Sequence, residues 1–406
     1  MQRHSHAIRF LVVLLALAAA AMTLGAKEAA YATGFKGFQA ANGGFDGWTL
    51  SGVQLNAGAL ELDQATAMQK TDSYPAGGYY GHNYYNGGSF LLGEATSPEI
   101  ATFASQEAIA SWNAQTPDGT WIETELQAKI GDRWTKWYSM GTWASGTGTV
   151  ERHSVRLQGD ADGYVAVDTL VITSKAGPAT VYRLKLSLFS ATGVTATPTV
   201  SLASLAYSNT APKKTKVSAG NSSNWNTLLA VPECSQMVYP DGGNVWCSPT
   251  STSMVLGFWG IDPGPCEPRV RAAVAGVYDW LYDGHGNWPF NTAYAASRGM
   301  VAQVARFTSL DDVEKWVKAG VPVVVSFAWK KSELTGAAVS SSNGHLSVIV
   351  GFDTQGNPIV NDPAAATDED VQRTYLRSEF EPLWLTNSGG TVYLIYPPGT
   401  AVPTLE

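Results

Sequence analysis

Between Ser208 and Asn226 the chain loses its apolar periodicity, running through Thr210-Ala-Pro-Lys-Lys-Thr-Lys-Val-Ser-Ala-Gly-Asn-Ser-Ser223, and the patterns on its two sides differ in kind. A polar, Pro- and Gly-containing run with no apolar face cannot build a core, so 208–226 reads as a linker between two folding problems. Upstream, in 33–207, short alternating segments dominate. In Trp121–Ile130, residues Ile122, Thr124, Leu126, Ala128 and Ile130 fall on one face and Glu123, Glu125, Gln127 and Lys129 on the other, the pattern of a half-buried antiparallel strand. Similar strands are expected at 53–62, 165–173 and 181–189, with Asp160-Ala-Asp-Gly163 and Lys175-Ala-Gly-Pro178 as turns. An all-β sandwich of the jelly-roll kind is the simplest fold with this spacing.

Downstream, in 227–400, the period changes. Helices are expected at 249–259, 267–282 and 309–319, and strands at 321–328, 345–352, 358–361 and 391–396. Ser309-Leu-Asp-Asp312 reads as a capping pattern and Gly320 as the helix stop. Helices followed by an antiparallel sheet define an α+β domain.

The chain has 406 residues, 45% hydrophobic and 15% charged, enough for large cores in about two or three domains. A net charge of -8 with scattered Lys and Arg excludes a nucleic-acid partner. Arg3, His4, His6 and Arg9 precede an apolar run from Phe10 to Leu24, the layout of a secretory signal, read here as 1–32 with cleavage motifs at Leu24-Gly-Ala26 and Ala30-Tyr-Ala32. About 15 apolar residues are fewer than a membrane span requires. The mature protein is therefore expected to be secreted and soluble, with no membrane association.

Export makes the three cysteines informative, because an oxidising compartment pairs thiols. Either Cys234 and Cys266 form a disulfide and leave Cys247 free, or all three are unpaired and pack as small hydrophobes. An unperturbed thiol is only about 3% ionised at pH 7, so a nucleophilic cysteine needs a site that lowers its pKa. Cys247 stands directly before Ser248-Pro249-Thr250, where Pro suits a first helical turn and the helix N-terminus offers unpaired N–H groups.

The thiolate also needs an imidazole. His345, after Gly344 at the head of an apolar strand, is the expected base, with His285 in a loop as the alternative. Asp353-Thr-Gln-Gly-Asn-Pro358 reads as a hairpin that returns Asp362 beside His345 to orient its ring, with Asn361 as the fallback. Gln236 supplies a side-chain amide for an oxyanion.

At these residues the chain resembles the C39 family of papain-like cysteine peptidases, in its stand-alone bacterial branch. The resemblance spans about 231–396 and rests on Val231-Pro-x-x-Ser-Gln236, Cys247-Ser-Pro-Thr-Ser, Gly344-His345-x-x-Val-x-x-Gly-Phe-Asp and Val360-Asn-Asp362-Pro. It implies Cys247 as nucleophile, His345 as base and acid, Asp362 as orienter and Gln236 as oxyanion donor, on a papain-like fold. Ser248-Pro249 replaces the Gly that commonly follows the nucleophile in the transporter-fused branch, so leader-peptide processing is not implied.

The expected activity is cysteine peptidase action on a polypeptide, without metal or cofactor. Two rivals are a cell-wall amidase or endopeptidase acting on peptidoglycan peptides and a non-catalytic carbohydrate-binding or adhesion protein. A glycan partner would use Trp112, Trp121, Trp134, Trp137, Trp143 and the cluster Gly78-Tyr-Tyr-Gly-His-Asn-Tyr-Tyr85, residues that otherwise fill a core or cover a domain interface. Asp160 and Asp162 read as turn residues rather than calcium ligands.

Overall fold

A computed structural model of the protein describes residues 31–210 and 217–405. The expected signal segment lies almost wholly outside the described residues, apart from Tyr31 and Ala32. Among the described residues, a β-rich N-terminal region of two antiparallel sheets precedes a mixed α/β region built on a third. No helix among them is long and apolar enough to cross a membrane.

Strand Thr120–Ile130 is central to the second sheet, between Ala179–Ala191 and Tyr138–Trp143. Its apolar face enters the core as expected, with Ile122, Leu126 and Ala128 fully buried. Its polar face is covered as well, because Glu123 accepts hydrogen bonds from Tyr84, Tyr85 and Ser139. A carboxylate is tolerated there because three hydroxyls replace its water. The segments 53–62 and 165–173, read as single strands, are each a hairpin: Val53–Asn56 with Ala59–Leu62, and Gly163–Ala166 with Thr169–Ile172.

The third sheet runs in the order Val301–Arg306, Thr391–Tyr396, Val323–Trp329, Ser342–Phe352, Pro358–Asn361 and Gln372–Thr374. Against it pack α1 (Cys247–Phe258), α2 (Cys266–Val277), α3 (Trp288–Ser297), α4 (Leu310–Lys318) and α5 (Arg377–Ser388). The helix expected to reach Tyr282 stops at Val277, because Asp279 turns the chain by accepting the N–H groups of Leu281 and Tyr282. Ser309 makes no side-chain cap on α4. The Leu310 N–H is taken instead by the buried carboxylate of Glu381 at 3.2 Å. Gly320 follows α4 in the left-handed region, as a helix stop should.

The segment read as a linker is docked where it is described. Ser218, Gly220, Asn221 and Trp225 bond to Glu381, Asp311 and Glu314, carboxylates that also surround Arg377.

The two regions share one hydrophobic core. Trp112 and Trp143 of the N-terminal region lie against Phe290 of α3, with ring centroids 6.2 and 5.4 Å apart. Gly141, at φ +131, leaves room for Phe290, which a Cβ would meet at 3.0 Å. The edge strand Val301–Arg306 is sealed by side chains of Glu107–Gln115: the Asn113 amide bonds both Ala302 backbone groups, the Ser111 hydroxyl accepts from Val304 N, and Glu107 pairs with Arg306. Unpaired edge groups are thus satisfied without adding a strand.

Candidate active site

Cys247 is the first residue of α1, and no side chain caps that helix end. The helix is buried on nearly every side, and most of its hydroxyls are satisfied inside the protein: Ser248 meets the Tyr393 hydroxyl at 2.9 Å and Ser251 donates to Leu346 O at 3.0 Å, while Thr250 Oγ1 is buried without a partner among the described residues. Gly257, which weakens the helix in isolation, is needed where the Arg269 guanidinium of α2 lies 2.7 Å from the place a Cβ would occupy. This packing fixes the sulfur in place.

Cys234 and Cys266 are disulfide-bonded, with Cα atoms 5.6 Å apart, and Cys247 is the free thiol among the described cysteines. The bridge ties the loop carrying Gln236 to the start of α2.

His345 lies on Ser342–Phe352, paired across from Phe327, with the Phe327 and Trp329 rings edge-on at 5.5 Å. Residues 353–357 form the expected turn, and Pro358–Asn361 returns beside the strand. Asp362 follows it, and its Oδ1 meets His345 Nε2 at 2.7 Å. Nε2 is thereby committed, leaving Nδ1 for the Cys247 sulfur. Asp362 also accepts from Ala364 N at 2.9 Å and, on Oδ2, from the Tyr375 hydroxyl at 2.6 Å. Asn361 points away, its Nδ2 bonded to Val231 O and Pro232 O.

The electrostatics follow from this contact chain. Burial alone would push the Cys247 thiol up. The hydrogen bond and charge of His345, with the N–H groups of Leu346 and Ser248, reverse that and hold it below its ordinary value. Burial would likewise push His345 down, but the Asp362 charge and hydrogen bond, with the Cys247 contact, raise it to about 10. Asp362 is held below the usual carboxylate range: burial opposes this, and His345, Tyr375 and Ala364 overcome it. The combination favours a thiolate–imidazolium pair.

Gln236 is buried beside this group. Its Nε2 donates one hydrogen to Gly243 O at 2.7 Å, and an amide nitrogen carries two, so the second remains for another oxygen. His285 lines the same cleft, but its Nδ1 is buried without a partner and burial lowers its pKa. It belongs to no charge chain with Cys247. Tyr375, Phe327 and Trp329 were not singled out from sequence; nothing in Arg373-Thr-Tyr-Leu376 marks a tyrosine that will reach Asp362.

The cleft holding Cys247, His345 and Gln236 encloses about 970 Å³ and is lined by both regions. Elsewhere, Trp112, Trp121 and Trp143 are fully buried, while Trp134 and Trp137 carry Arg183 and Lys185 over their rings. His82 of the tyrosine cluster stacks on Trp280 at 4.0 Å, covering the interface. Asp160 accepts from Tyr138 and Gly163, and Asp162 pairs with Arg133, so both serve the turn.

Residues 36–208 match the family model described as the peptidase C39 N-terminal domain, and residues 228–392 match the peptidase C39-like family. No curated protein matches the chain. Among solved structures, the carbohydrate-binding module TmCBM61 in complex with β-1,4-galactotriose is 9% identical over 42% of this chain and 90% of its own, at a TM-score of 0.20. A structure of promiscuous carbohydrate-binding modules from the β-sandwich superfamily is 13% identical over 40% and 58%, at 0.18. The catalytic unit of a GH87 α-1,3-glucanase from Streptomyces thermodiastaticus is 11% identical over 62% and 34%, at 0.17. Likenesses this weak carry no argument.

Proposed function

The chain belongs to the C39-like peptidase family, and from that membership together with the site geometry we propose that it is a secreted cysteine endopeptidase with a papain-like catalytic region. The observation that carries the reading is the buried contact chain from Cys247 through His345 to Asp362, opening on a cleft at its sulfur end. The Cys247 thiolate attacks the scissile carbonyl carbon, and the negative charge moves to the carbonyl oxygen. Gln236 Nε2 and the Cys247 backbone N–H donate to that oxygen. The tetrahedral adduct collapses as His345 gives its proton to the leaving amine, forming a thioester and breaking the C–N bond. His345 then takes a proton from water, whose oxygen attacks the thioester, and returns it to the departing sulfur. Asp362 holds the ring and its charge throughout.

The test is to incubate the mature protein with unfolded protein and, separately, with purified cell wall, beside Cys247→Ala and His345→Ala. New peptide termini from unfolded protein, absent with both variants, are expected. Release of wall fragments alone would replace the endopeptidase with a cell-wall amidase. Cleavage that survives Cys247→Ala would sink the thiol mechanism.

A further inference from the structure

The hairpin Gly163–Ala166/Thr169–Ile172 belongs to the sandwich, yet its tip lines the cleft that holds Cys247 and His345. Asp168 N donates to Ala166 O at 2.7 Å across Val167, whose φ is +60. That is the positive-φ γ-turn, the strained kind, and a β-branched residue is the costliest occupant for it. Strain of this sort persists only where surroundings enforce it. Here Asp168 enforces it. Fully enclosed, it accepts the Trp288 N–H at 2.8 Å and the Thr169 hydroxyl at 3.0 Å, so a carboxylate of one region occupies the first turn of α3 in the other.

Resting on the endopeptidase reading above, we infer that this hairpin is a wall of the substrate cleft and that Val167 is a specificity-determining residue, with Asp168 as the positioning residue that docks it. Val167 shares the cleft with Met237, Val245 and Tyr282, apolar side chains that are 43%, 59% and 42% exposed. Exposed apolar groups lining a cleft that holds a nucleophile suit an occupant that covers them. The substrate class selected is an extended polypeptide carrying an apolar side chain next to the scissile bond. A bulkier or charged side chain there meets a wall held from behind by a helix end.

The experiment uses the full mature chain, and its alkylation arm needs no turnover. Rates of Cys247 alkylation are measured with iodoacetamide and with a bulky peptidyl chloromethyl ketone, for wild type, Val167→Gly and Asp168→Ala. Glycine suits φ +60, so Val167→Gly keeps the fold, which melting confirms. The bulky-to-small rate ratio is expected to rise about tenfold or more in Val167→Gly, the scale on which an apolar pocket tells a side chain that fits from one too large, and to rise in Asp168→Ala. Cleavage sites in unfolded protein are read in parallel for wild type and Val167→Asp, where loss of the apolar preference is expected. An unchanged ratio in Val167→Gly overturns the wall. A wild-type thiol that alkylates only at ordinary thiol pH overturns the endopeptidase reading instead, so the two failures are distinct.

Discussion

Tyr375 and His345 hold opposite oxygens of one carboxylate: the Tyr375 hydroxyl donates to Asp362 Oδ2 at 2.6 Å while His345 Nε2 meets Oδ1 at 2.7 Å. With both oxygens engaged the carboxylate cannot turn, and the imidazole plane is fixed with it. Tyr375→Phe removes a bond to a buried charge, worth about 1.5–3 kcal/mol. The expected outcome is a lower melting temperature and a fall in kcat at nearly constant KM, smaller than the fall in Asp362→Asn. Equal losses in the two variants would show that Tyr375 does more than hold the carboxylate.

The Cys247 thiol is expected to react with iodoacetamide well below the pH at which an ordinary thiol does. His345→Ala removes the hydrogen bond and charge that do most to hold the thiol down while burial remains, so the reactive limb should move upward. Alkylation rate against pH for the two proteins checks this.

His345, raised to about 10, contributes stability that is full below about pH 6.5 and lost as pH rises through its folded value. Cys247, lowered, contributes stability that is full above about pH 8.5 and lost as pH falls through its folded value. The two offset each other in between, so the pair predicts a plateau near neutrality and a decline toward about pH 10. In Cys247→Ala the cysteine contribution is gone and the histidine contribution is reduced to what Asp362 sustains, so the plateau is lost and melting curves should begin to fall at lower pH.

Gln236→Ala is expected to reduce kcat by roughly 10²–10³, the usual cost of one oxyanion donor, with little change in KM. Its second role is visible in the fold: Gly243 approaches so closely that a Cβ there would lie 1.9 Å from Gln236 O, so Gly243→Ala should disturb the loop and act on kcat in the same direction.

Loss of the Cys234–Cys266 bridge in a double serine variant should cost about 3–4 kcal/mol for a sequence separation of 32 on the chain-entropy model. Chemical denaturation of oxidised and variant protein measures it.

The candidate site was legible because the residue types it would need are written in local sequence. A cysteine before Ser-Pro-Thr, a histidine early in a strand and a hairpin returning to an aspartate each carry a signal, and the structure brings Cys247, His345 and Gln236 to one cleft with Asp362 buried behind His345. Hidden elements had physical reasons to be hidden. Helix α3 is buried around nearly its whole circumference, so it has no polar stripe to reveal a period, although Asn287 does cap it. Helix α5 contains Pro382, which reads as a breaker. The hairpin at 163–172 passed for one strand because its turn holds Val167 where Gly or Asn is the usual occupant, and that departure from turn chemistry falls at the cleft.

Phe290 packed between Trp112 and Trp143 alters what the break in amino-acid pattern after residue 207 means. It marks a change of style in the polypeptide and not a mechanical joint. Expressed alone, the C-terminal half would present the face of α3 and the edge of Val301–Arg306 to water. A chain severed between the halves would stay together as one particle. The N-terminal region is therefore neither a detachable leader nor a tethered passenger, and any descendant that discarded it would first have to rebuild one wall of its own cleft.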